Sequence, residues 1–265
     1  MRTIAIMNNK GGVGKTVTAV NLADILVRQH GKRVVLVDCD GQKNATRFFW
    51  QNIPEDAITV AELLIGEGEP LWSDNLHTVY SGLQLLPASS GLYHLDIHTL
   101  GVHTTPYTVR TNALRDFRQA MEEDGDVDFL LFDCPPGFTT ASCAALMAAD
   151  EVIIPAVLDG FPFDGIDQMD MQVHQIRCVN RAVKITGVLI NQWHRAPHVE
   201  QAEALLRSRS VPVFHSVIRR TDKVPESTLA RAPLTLYSPN SAAGRDFRAW
   251  VEELTGEEAG DGNEV

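Results

Sequence analysis

The sequence predicts an α/β fold in which a doubly wound, mostly parallel sheet carries helices on both faces. Short runs rich in Val, Ile and Leu alternate along the chain with amphipathic segments, which is the order of repeated βαβ units. Several of these runs are almost continuously apolar, as expected of parallel strands that are covered on both faces. The length of 265 residues allows one large sheet with an ample core.

Seven short apolar segments are predicted to form strands. They are residues 3–7, 33–37, 83–86, 127–132, 151–157, 183–190 and 211–214. Six segments with apolar residues at helical spacing are predicted to form helices. They are residues 16–30, 109–123, 139–149, 165–181, 197–209 and 242–254.

The first and last helices show the helical periodicity most clearly. Val20, Ala23 and Val27 recur on one stripe of the first helix before Gly31 ends it, and the last helix carries Phe247 and Trp250. Residues 53–107 are the least regular stretch, because Gly and Pro interrupt it repeatedly. We predict a single domain over residues 1–256 and an acidic, disordered tail over residues 257–265.

A glycine-rich segment follows the first strand and opens the first helix. It consists of Lys10, Gly11, Gly12, Val13, Gly14, Lys15 and Thr16, followed by Val17. A turn between a strand and a helix N-terminus aims backbone N–H groups at one point, so it binds polyphosphate. We expect Lys15 to contact the β- and γ-phosphates and the Thr16 hydroxyl to ligate Mg²⁺. Asn9 stands where the usual pattern has glycine, and Lys10 is an additional cation, so the loop is a variant.

Polar residues follow three other predicted strands, at the edge where open parallel sheets bind ligands. Asp38 and Asp40 end one strand with carboxylates two residues apart, and Asp133 ends another. Carboxylates in these positions can hold Mg²⁺ through its water shell. Asn191 ends a third strand, and its side-chain amide offers both a donor and an acceptor to a base edge.

Composition excludes several classes of protein. No stretch approaches the roughly 20 apolar residues of a membrane span, and no secretory leader is recognisable, so we expect a cytoplasmic protein without a membrane partner. The four cysteines show neither paired metal-ligand spacing nor the density of a disulfide framework.

Charge is distributed unevenly along the chain. The net charge is −11, and six acidic residues without a basic one follow from Glu252 onward. Residues 205–231 have the opposite character, with six basic residues against two acidic ones. A basic face on an acidic protein is therefore expected.

These motifs together resemble the ParA/Soj-type partition ATPases of the deviant Walker A group of P-loop NTPases. The resemblance runs over nearly the whole chain. It is carried by residues 10–16, by residues 38–46 (DCDGQKNAT), by residues 133–137 (DCPPG) and by residues 149–155 (ADEVIIP). Residues 217–220 and 233–241 also look similar to this family.

The resemblance implies a role for each matching residue. Lys15 and the loop amides would hold ATP. Thr16, Asp38 and Asp133 would order Mg²⁺ and its waters. Asp40 would orient the attacking water. Lys10 would cross the interface of an ATP-bound homodimer and contact the nucleotide of the other subunit.

The implied function is DNA segregation by a nucleotide cycle. The ATP dimer would bind double-stranded DNA without sequence preference over the nucleoid, and a centromere-binding, ParB-like partner would stimulate slow hydrolysis. Arg219, Arg220 and Lys223 are the candidate DNA contacts, with Arg207 and Arg209 as additional candidates.

Two positions depart from the family pattern, which has Pro where Gly41 stands and Gly where Lys43 stands.

Three alternative functions also stay open. A MinD-like, membrane-cycling ATPase would need a basic amphipathic C-terminus, which this acidic chain lacks. An iron–sulfur reductase like the nitrogenase iron protein would need Cys143 and Cys178 at a dimer axis. A nucleotide-gated adaptor would position some other cargo.

Overall fold

The described part of the chain forms one eight-stranded sheet with helices on both sides. The computed structural model describes residues 1–54, 56–66, 76–99, 109–159 and 162–258. In these residues the sheet order is β3-β4-β2-β5-β1-β6-β7-β8. The strands are β1 Arg2–Ile6, β2 Val34–Asp38, β3 His77–Tyr80, β4 Leu83–Leu86, β5 Phe129–Asp133, β6 Glu151–Val157, β7 Lys184–Trp193 and β8 Val213–Arg219.

Helices connect the strands as the βαβ pattern predicts. The helices of the described residues are α1 Lys15–Arg28, α2 Asn44–Phe49, α3 Val60–Ile65, α4 Gly91–Thr99, α5 Ala113–Asp124, α6 Thr140–Ala148, α7 Pro162–Ile176, α8 Pro197–Arg207, α9 Lys223–Ala230, α10 Leu234–Tyr237 and α11 Ala242–Thr255. None of them is both long enough and apolar enough to cross a bilayer.

Two apolar cores lie on opposite faces of the sheet, because successive side chains of a strand point in opposite directions. On β1, Ile4 and Ile6 belong to the core that packs against α1 and α11. Ala5 and Met7 belong to the other core, which packs against α5 and α6. The prediction of a doubly wound, mostly parallel sheet is confirmed. Among the strands of the described residues, only β3 pairs antiparallel with its neighbour.

The central strands end level with one another at a single edge of the sheet. Asp38 at the end of β2 is in register with Asp133 at the end of β5. Ile6 at the end of β1 is in register with the same Asp133. The loop after β1 and the two aspartates therefore meet at one place, as the motif positions predict.

Helix α1 connects this edge to a distant part of the chain through two buried polar residues. The side-chain carbonyl of Asn21 accepts a hydrogen bond of 2.9 Å from the backbone N–H of Leu234, at the start of α10. Asp24 accepts one of 2.7 Å from the Tyr80 hydroxyl on β3. The position of α10 is thus fixed by the helix that begins at the glycine-rich loop.

The structure adds elements that the sequence patterns did not predict. Strand β3 and the short helices α2, α3, α4, α9 and α10 were not predicted, and β8 covers Val213–Arg219 rather than residues 211–214. Polar residues His215 and Ser216 interrupt the apolar run of β8, which concealed its length. Residues 259–265 of the predicted acidic tail lie outside the described residues, whereas Glu257 pairs with Lys32.

Replacement of Leu26 by alanine tests the core on the α1 face. Leu26 is fully buried there, so the substitution leaves a cavity and is expected to lower the free energy of unfolding by about 2–5 kcal/mol. The matched control is Leu229→Ala, since Leu229 is 87% exposed and should change stability by less than about 0.5 kcal/mol. Equal urea midpoints for the two variants would contradict this packing.

Candidate nucleotide-binding site

The glycine-rich loop has the backbone geometry of an anion-binding turn. Gly12 and Gly14 have positive φ values of 73° and 89°, a conformation that glycine adopts without a steric cost. Gly14 is also the N-cap of α1, whose first turn contains no acidic residue to compete with an anion. A Cβ on Gly14 would come within 2.2 Å of the Asn191 side-chain nitrogen. Glycine is therefore required at this position for two separate reasons.

Lys15 is held inside the loop. Its side chain is largely buried, and Nζ donates a hydrogen bond of 2.9 Å to the backbone carbonyl of Lys10. Burial lowers the pKa of Lys15, while the nearby carboxylates of Asp133 and Asp40 act in the opposite direction. The ammonium group is thus positioned before any ligand arrives.

Asp38 is fully buried and accepts three hydrogen bonds. Oδ1 accepts from the backbone N–H of Asp40 at 3.0 Å, and Oδ2 accepts from the backbone N–H and the hydroxyl of Thr46 at 2.8 and 2.7 Å. Burial raises the pKa of Asp38 to about 6, although these hydrogen bonds favour the charged form. The carboxylate is oriented by α2, on which Thr46 lies.

Asp133 has a different environment from that of Asp38. Both of its carboxylate oxygens are buried, and neither has a hydrogen-bond partner of normal geometry among the described residues. Burial and the charge of Asp38 raise its pKa well above the ordinary value, although the nearby Thr16 hydroxyl and Lys15 ammonium oppose the shift. Buried oxygens without a partner suit a hard cation, and Mg²⁺ is held by one or two carboxylates together with phosphate and water. The residues present therefore fit Mg²⁺.

Asp40 lies in a tight turn directly after the buried strand β2. Its Oδ1 accepts from the backbone N–H of Gln42 at 2.9 Å, and its backbone carbonyl accepts from Lys43 N–H at 2.8 Å. Lys43 has a φ of 61°, the left-handed conformation that glycine favours. Lys43 thus adopts a conformation that glycine takes without cost, at a strain of about 1–2 kcal/mol.

Lys10 extends away from Lys15. Its Nζ lies 2.6 Å from Oδ1 of Asp159 and 3.3 Å from the backbone carbonyl of the same residue. The side chain is 38% exposed, and its ion-pair partner is more exposed still. The two lysines of the loop are therefore separated, one directed inward and one outward.

Asn191 contacts the loop from the end of β7. Its side-chain nitrogen donates to the Val13 carbonyl at 3.0 Å, and its side-chain oxygen accepts from the backbone N–H of Gln192. Gln192 has a φ of 53° and donates from Nε2 to the Gly12 carbonyl at 3.1 Å. The amide of Asn191 thus holds the loop at the Val13 carbonyl. Its predicted contact with a nucleotide base stays a prediction.

A cavity of about 980 Å³ opens beside the loop and is large enough for a nucleotide. One wall comes from the loop and from the ends of β2 and β7. The opposite wall comes from residues after β8, which sequence patterns did not connect with this site. Its lining includes Gly11, Gly12, Gly14, Lys15, Thr16, Val17, Asp40, Asn191, Arg219, Arg220, Val224, Pro225, Leu229 and Arg231. Lys10 is absent from the described lining.

The predicted DNA contacts occupy different environments. Arg219 forms a forked ion pair with Asp246, with the shortest N–O distance 2.6 Å, and this partner raises its pKa. Lys223 pairs with Glu226 at 2.6 Å. Arg220 is exposed and forms no ion pair within the described part of the chain.

The two additional basic candidates are also paired. Arg207 bonds Glu203 and the Phe214 carbonyl, and Arg209 pairs with Asp167 and lies over the Phe163 ring. Of the basic residues that the sequence indicated, Arg220 has the most freely available positive charge.

Sequence reasoning missed the residues that hold these groups in place. Thr46 orients Asp38, Asp159 pairs with Lys10, and Asp246 pairs with Arg219. Each partner is distant in sequence or lies in an element that was not predicted. For Thr46 a signal existed, because it closes the DCDGQKNAT motif, but the motif alone does not identify its partner.

Comparisons with known proteins identify the family to which this chain is similar. Family AAA_31, described as an AAA domain, matches residues 1–185. The chain is 30% identical over 261 residues to the chromosome partitioning protein ParA of Caulobacter vibrioides, covering 97% of this chain and 95% of that protein. It is 32% identical over 257 residues to the chromosome-partitioning ATPase Soj of Thermus thermophilus, covering 96% and 95%.

A solved structure shares the architecture as well. The cobyrinic acid a,c-diamide synthase of Mycobacterium smegmatis with a bound ATP analogue and magnesium is 26% identical, with a TM-score of 0.78 and 98% of each chain covered. The family match and the two relatives extend over most of the chain, so the resemblance that the motifs indicated is confirmed. The chain belongs to the ParA/Soj family of P-loop ATPases.

Proposed function

We propose that this chain binds ATP with Mg²⁺ in the cavity beside the glycine-rich loop and hydrolyses it slowly. The loop amides, Lys15 and the N-terminus of α1 provide a site for the phosphates. Thr16, Asp38 and Asp133 would hold Mg²⁺ and its waters, and the bound ion would neutralise phosphate charge. Asp40 would orient the attacking water. The related synthase from Mycobacterium smegmatis, with its ATP analogue and magnesium, supports this cofactor choice.

The ATP-bound form is proposed to be a homodimer, and the position of Lys10 is the observation that carries this proposal. Lys15 already supplies an ammonium group inside the loop, whereas Lys10 points outward to an exposed carboxylate on Asp159. An exposed ion pair of this kind contributes only about 0–1 kcal/mol, so Lys10 is readily released. A second subunit's triphosphate would offer it a stronger anionic partner, and hydrolysis would remove that attraction.

The dimer is proposed to bind double-stranded DNA without sequence preference and to segregate plasmid or chromosomal DNA over the nucleoid. The relatives named for chromosome partitioning support this role. Arg220 would make the main phosphate contact, with Lys223 and Arg219 beside it. A ParB-like, centromere-binding partner would stimulate hydrolysis and release the dimer from DNA.

Magnesium binding is expected to weaken as the pH falls from 7.5 to 5. The raised pKa of Asp38, about 6, means that the folded, metal-free protein holds a proton that the unfolded chain releases near its ordinary pKa of 3.8. The contribution of Asp38 to the free energy of unfolding of the metal-free protein therefore decreases as the pH rises from about 4 to about 6. Mg²⁺ needs the ionised pair, so its affinity should be about tenfold lower at pH 5.

Thermal unfolding with Mg²⁺ and ADP, or with a chelator, measures this dependence at both pH values. Asp133→Asn removes the carboxylate without a partner, so it should abolish the Mg²⁺-dependent increase in Tm and raise the Tm of the metal-free protein at pH 7.5. The matched control, Asp128→Asn, removes an exposed carboxylate at the opposite edge and should keep the Mg²⁺ effect. An equal Mg²⁺ effect at both pH values would contradict the proposed site.

Lys10→Ala is expected to bind ATP with normal affinity but to lose ATP-dependent dimerisation. The reason is that the side chain lies outside its own cavity and would act on the other subunit. Light scattering with a nonhydrolysable ATP analogue gives the mass, and Lys184→Ala is a control that removes an exposed lysine at the opposite edge of the sheet. A dimer of unchanged affinity in Lys10→Ala would reject the role in trans.

Arg220→Ala is expected to weaken binding of the ATP-bound protein to arbitrary duplex DNA. The slope of log K against log salt should fall in magnitude by about one for each phosphate contact removed. Arg181→Ala removes an exposed arginine before β7, at the opposite edge, and should leave both affinity and slope unchanged. DNA retention at several salt concentrations is the measurement, and identical curves for both variants would refute the proposed DNA face.

A further inference from the structure

The departure at position 41 is accompanied by an aromatic contact. The Tyr93 ring, on α4, lies directly over Gly41. A Cβ on Gly41 would come 2.9 Å from Cζ of Tyr93, and 3.0 and 3.1 Å from Cε2 and Cε1. Gly41 is buried although the next residue, Gln42, is exposed. Because the ring approaches this closely, a side chain at position 41 and the ring in its present place exclude each other.

The backbone that carries Tyr93 is tightly fixed. Gly91, at the start of α4, packs so closely on α3 that an added Cβ would lie 3.0 Å from the Ala61 Cβ. The backbone N–H of Tyr93 donates to the Ser90 carbonyl at 3.2 Å. On the next turn of α4, Asp96 accepts from the backbone N–H of Thr140 at 2.8 Å, which ties α4 to α6. The ring therefore projects from a rigid support.

The turn beneath the ring carries Asp40. Oδ1 of Asp40 is held by the Gln42 N–H, so the orientation of its carboxylate depends on the path of residues 40–43. Within the same turn, Lys43 N–H also donates to the Asp40 carbonyl. Lys43 adopts a left-handed conformation that is unfavourable for a lysine. The Tyr93 ring, which is 41% exposed, lies against this turn at Gly41.

We propose that Tyr93 is a positioning residue for ATP hydrolysis, because its ring presses on Gly41 and thereby holds the Asp40 carboxylate in place. This inference rests on the proposed role of Asp40 in orienting the attacking water. A side chain at position 41, such as proline, would displace the ring. Gly41 and Tyr93 therefore act as one unit, because the ring can take this place only while position 41 has no side chain.

Tyr93→Ala is expected to lower kcat for phosphate release about tenfold while the KM and the Kd for ATP stay within about twofold, since a misplaced group costs rate more than binding. Tyr93→Phe keeps the ring and should retain the wild-type kcat. The matched control is Ile97→Ala, which removes a similarly exposed apolar side chain one turn further along α4. Retained ATP binding shows that each variant is folded.

A double-mutant comparison tests whether the two positions act together. Gly41→Pro alone should lower kcat by displacing the ring, and adding it to Tyr93→Ala should cause no further loss. The proposal would be overturned if the double variant lost kcat by the product of the two single-variant factors. A wild-type kcat in Tyr93→Ala, or a reduced kcat in Tyr93→Phe, would also overturn it.

Asp40→Ala separates failure of this inference from failure of the proposed function. Loss of hydrolysis in Asp40→Ala, together with a wild-type rate in Tyr93→Ala, would overturn the positioning role alone. A wild-type rate in Asp40→Ala would remove Asp40 from the mechanism, and the role of Tyr93 would fall with it.

Discussion

Two carboxylates buried side by side are the constraint on which the site depends. Asp38 and Asp133 end adjacent parallel strands in register, so the sheet itself brings them together. Such a pair is unfavourable without a cation, because both charges are desolvated and repel each other. Three hydrogen bonds support Asp38, whereas Asp133 has no such partner among the described residues. The fold thus holds unfavourable electrostatic energy at the proposed Mg²⁺ site.

The groups around that pair of carboxylates differ in how firmly neighbouring residues hold them. Lys15 is buried and bonded to the loop, Asp38 is oriented by α2, and Asn191 fixes the loop from β7. Lys10 and Arg220, by contrast, extend into solvent and have weak partners or none in the described part of the chain. Groups that the proposed function assigns to the bound nucleotide are rigid. Of the groups that it assigns to a second subunit or to DNA, Lys10 and Arg220 are held loosely, whereas Arg219 is held by Asp246.

Much of the fold and of the candidate site could be predicted from the sequence, because strong local patterns indicate both. The apolar strands, the glycine-rich loop and the aspartates at strand ends follow from periodicity and from the edge at which parallel sheets bind ligands. The edge strand β3 escaped prediction because it is short and only half-buried, with a bulge in its pairing. The ion pair of Arg219 escaped because its partner, Asp246, lies on a helix 27 residues away. Tyr93 escaped because nothing in a sequence shows which ring covers which glycine.

Helix α1 contacts two different parts of the molecule. Its first turn faces the cavity, while Asn21, further along, is bonded to the start of α10. Residues between Arg219 and Arg231, just before α10, line the same cavity. One helix therefore begins at the glycine-rich loop and, through Asn21, also holds the segment that follows the cavity-lining residues. The hydrogen bond of Asn21 is thus a structural link between the loop end of α1 and the part of the chain that carries Arg220.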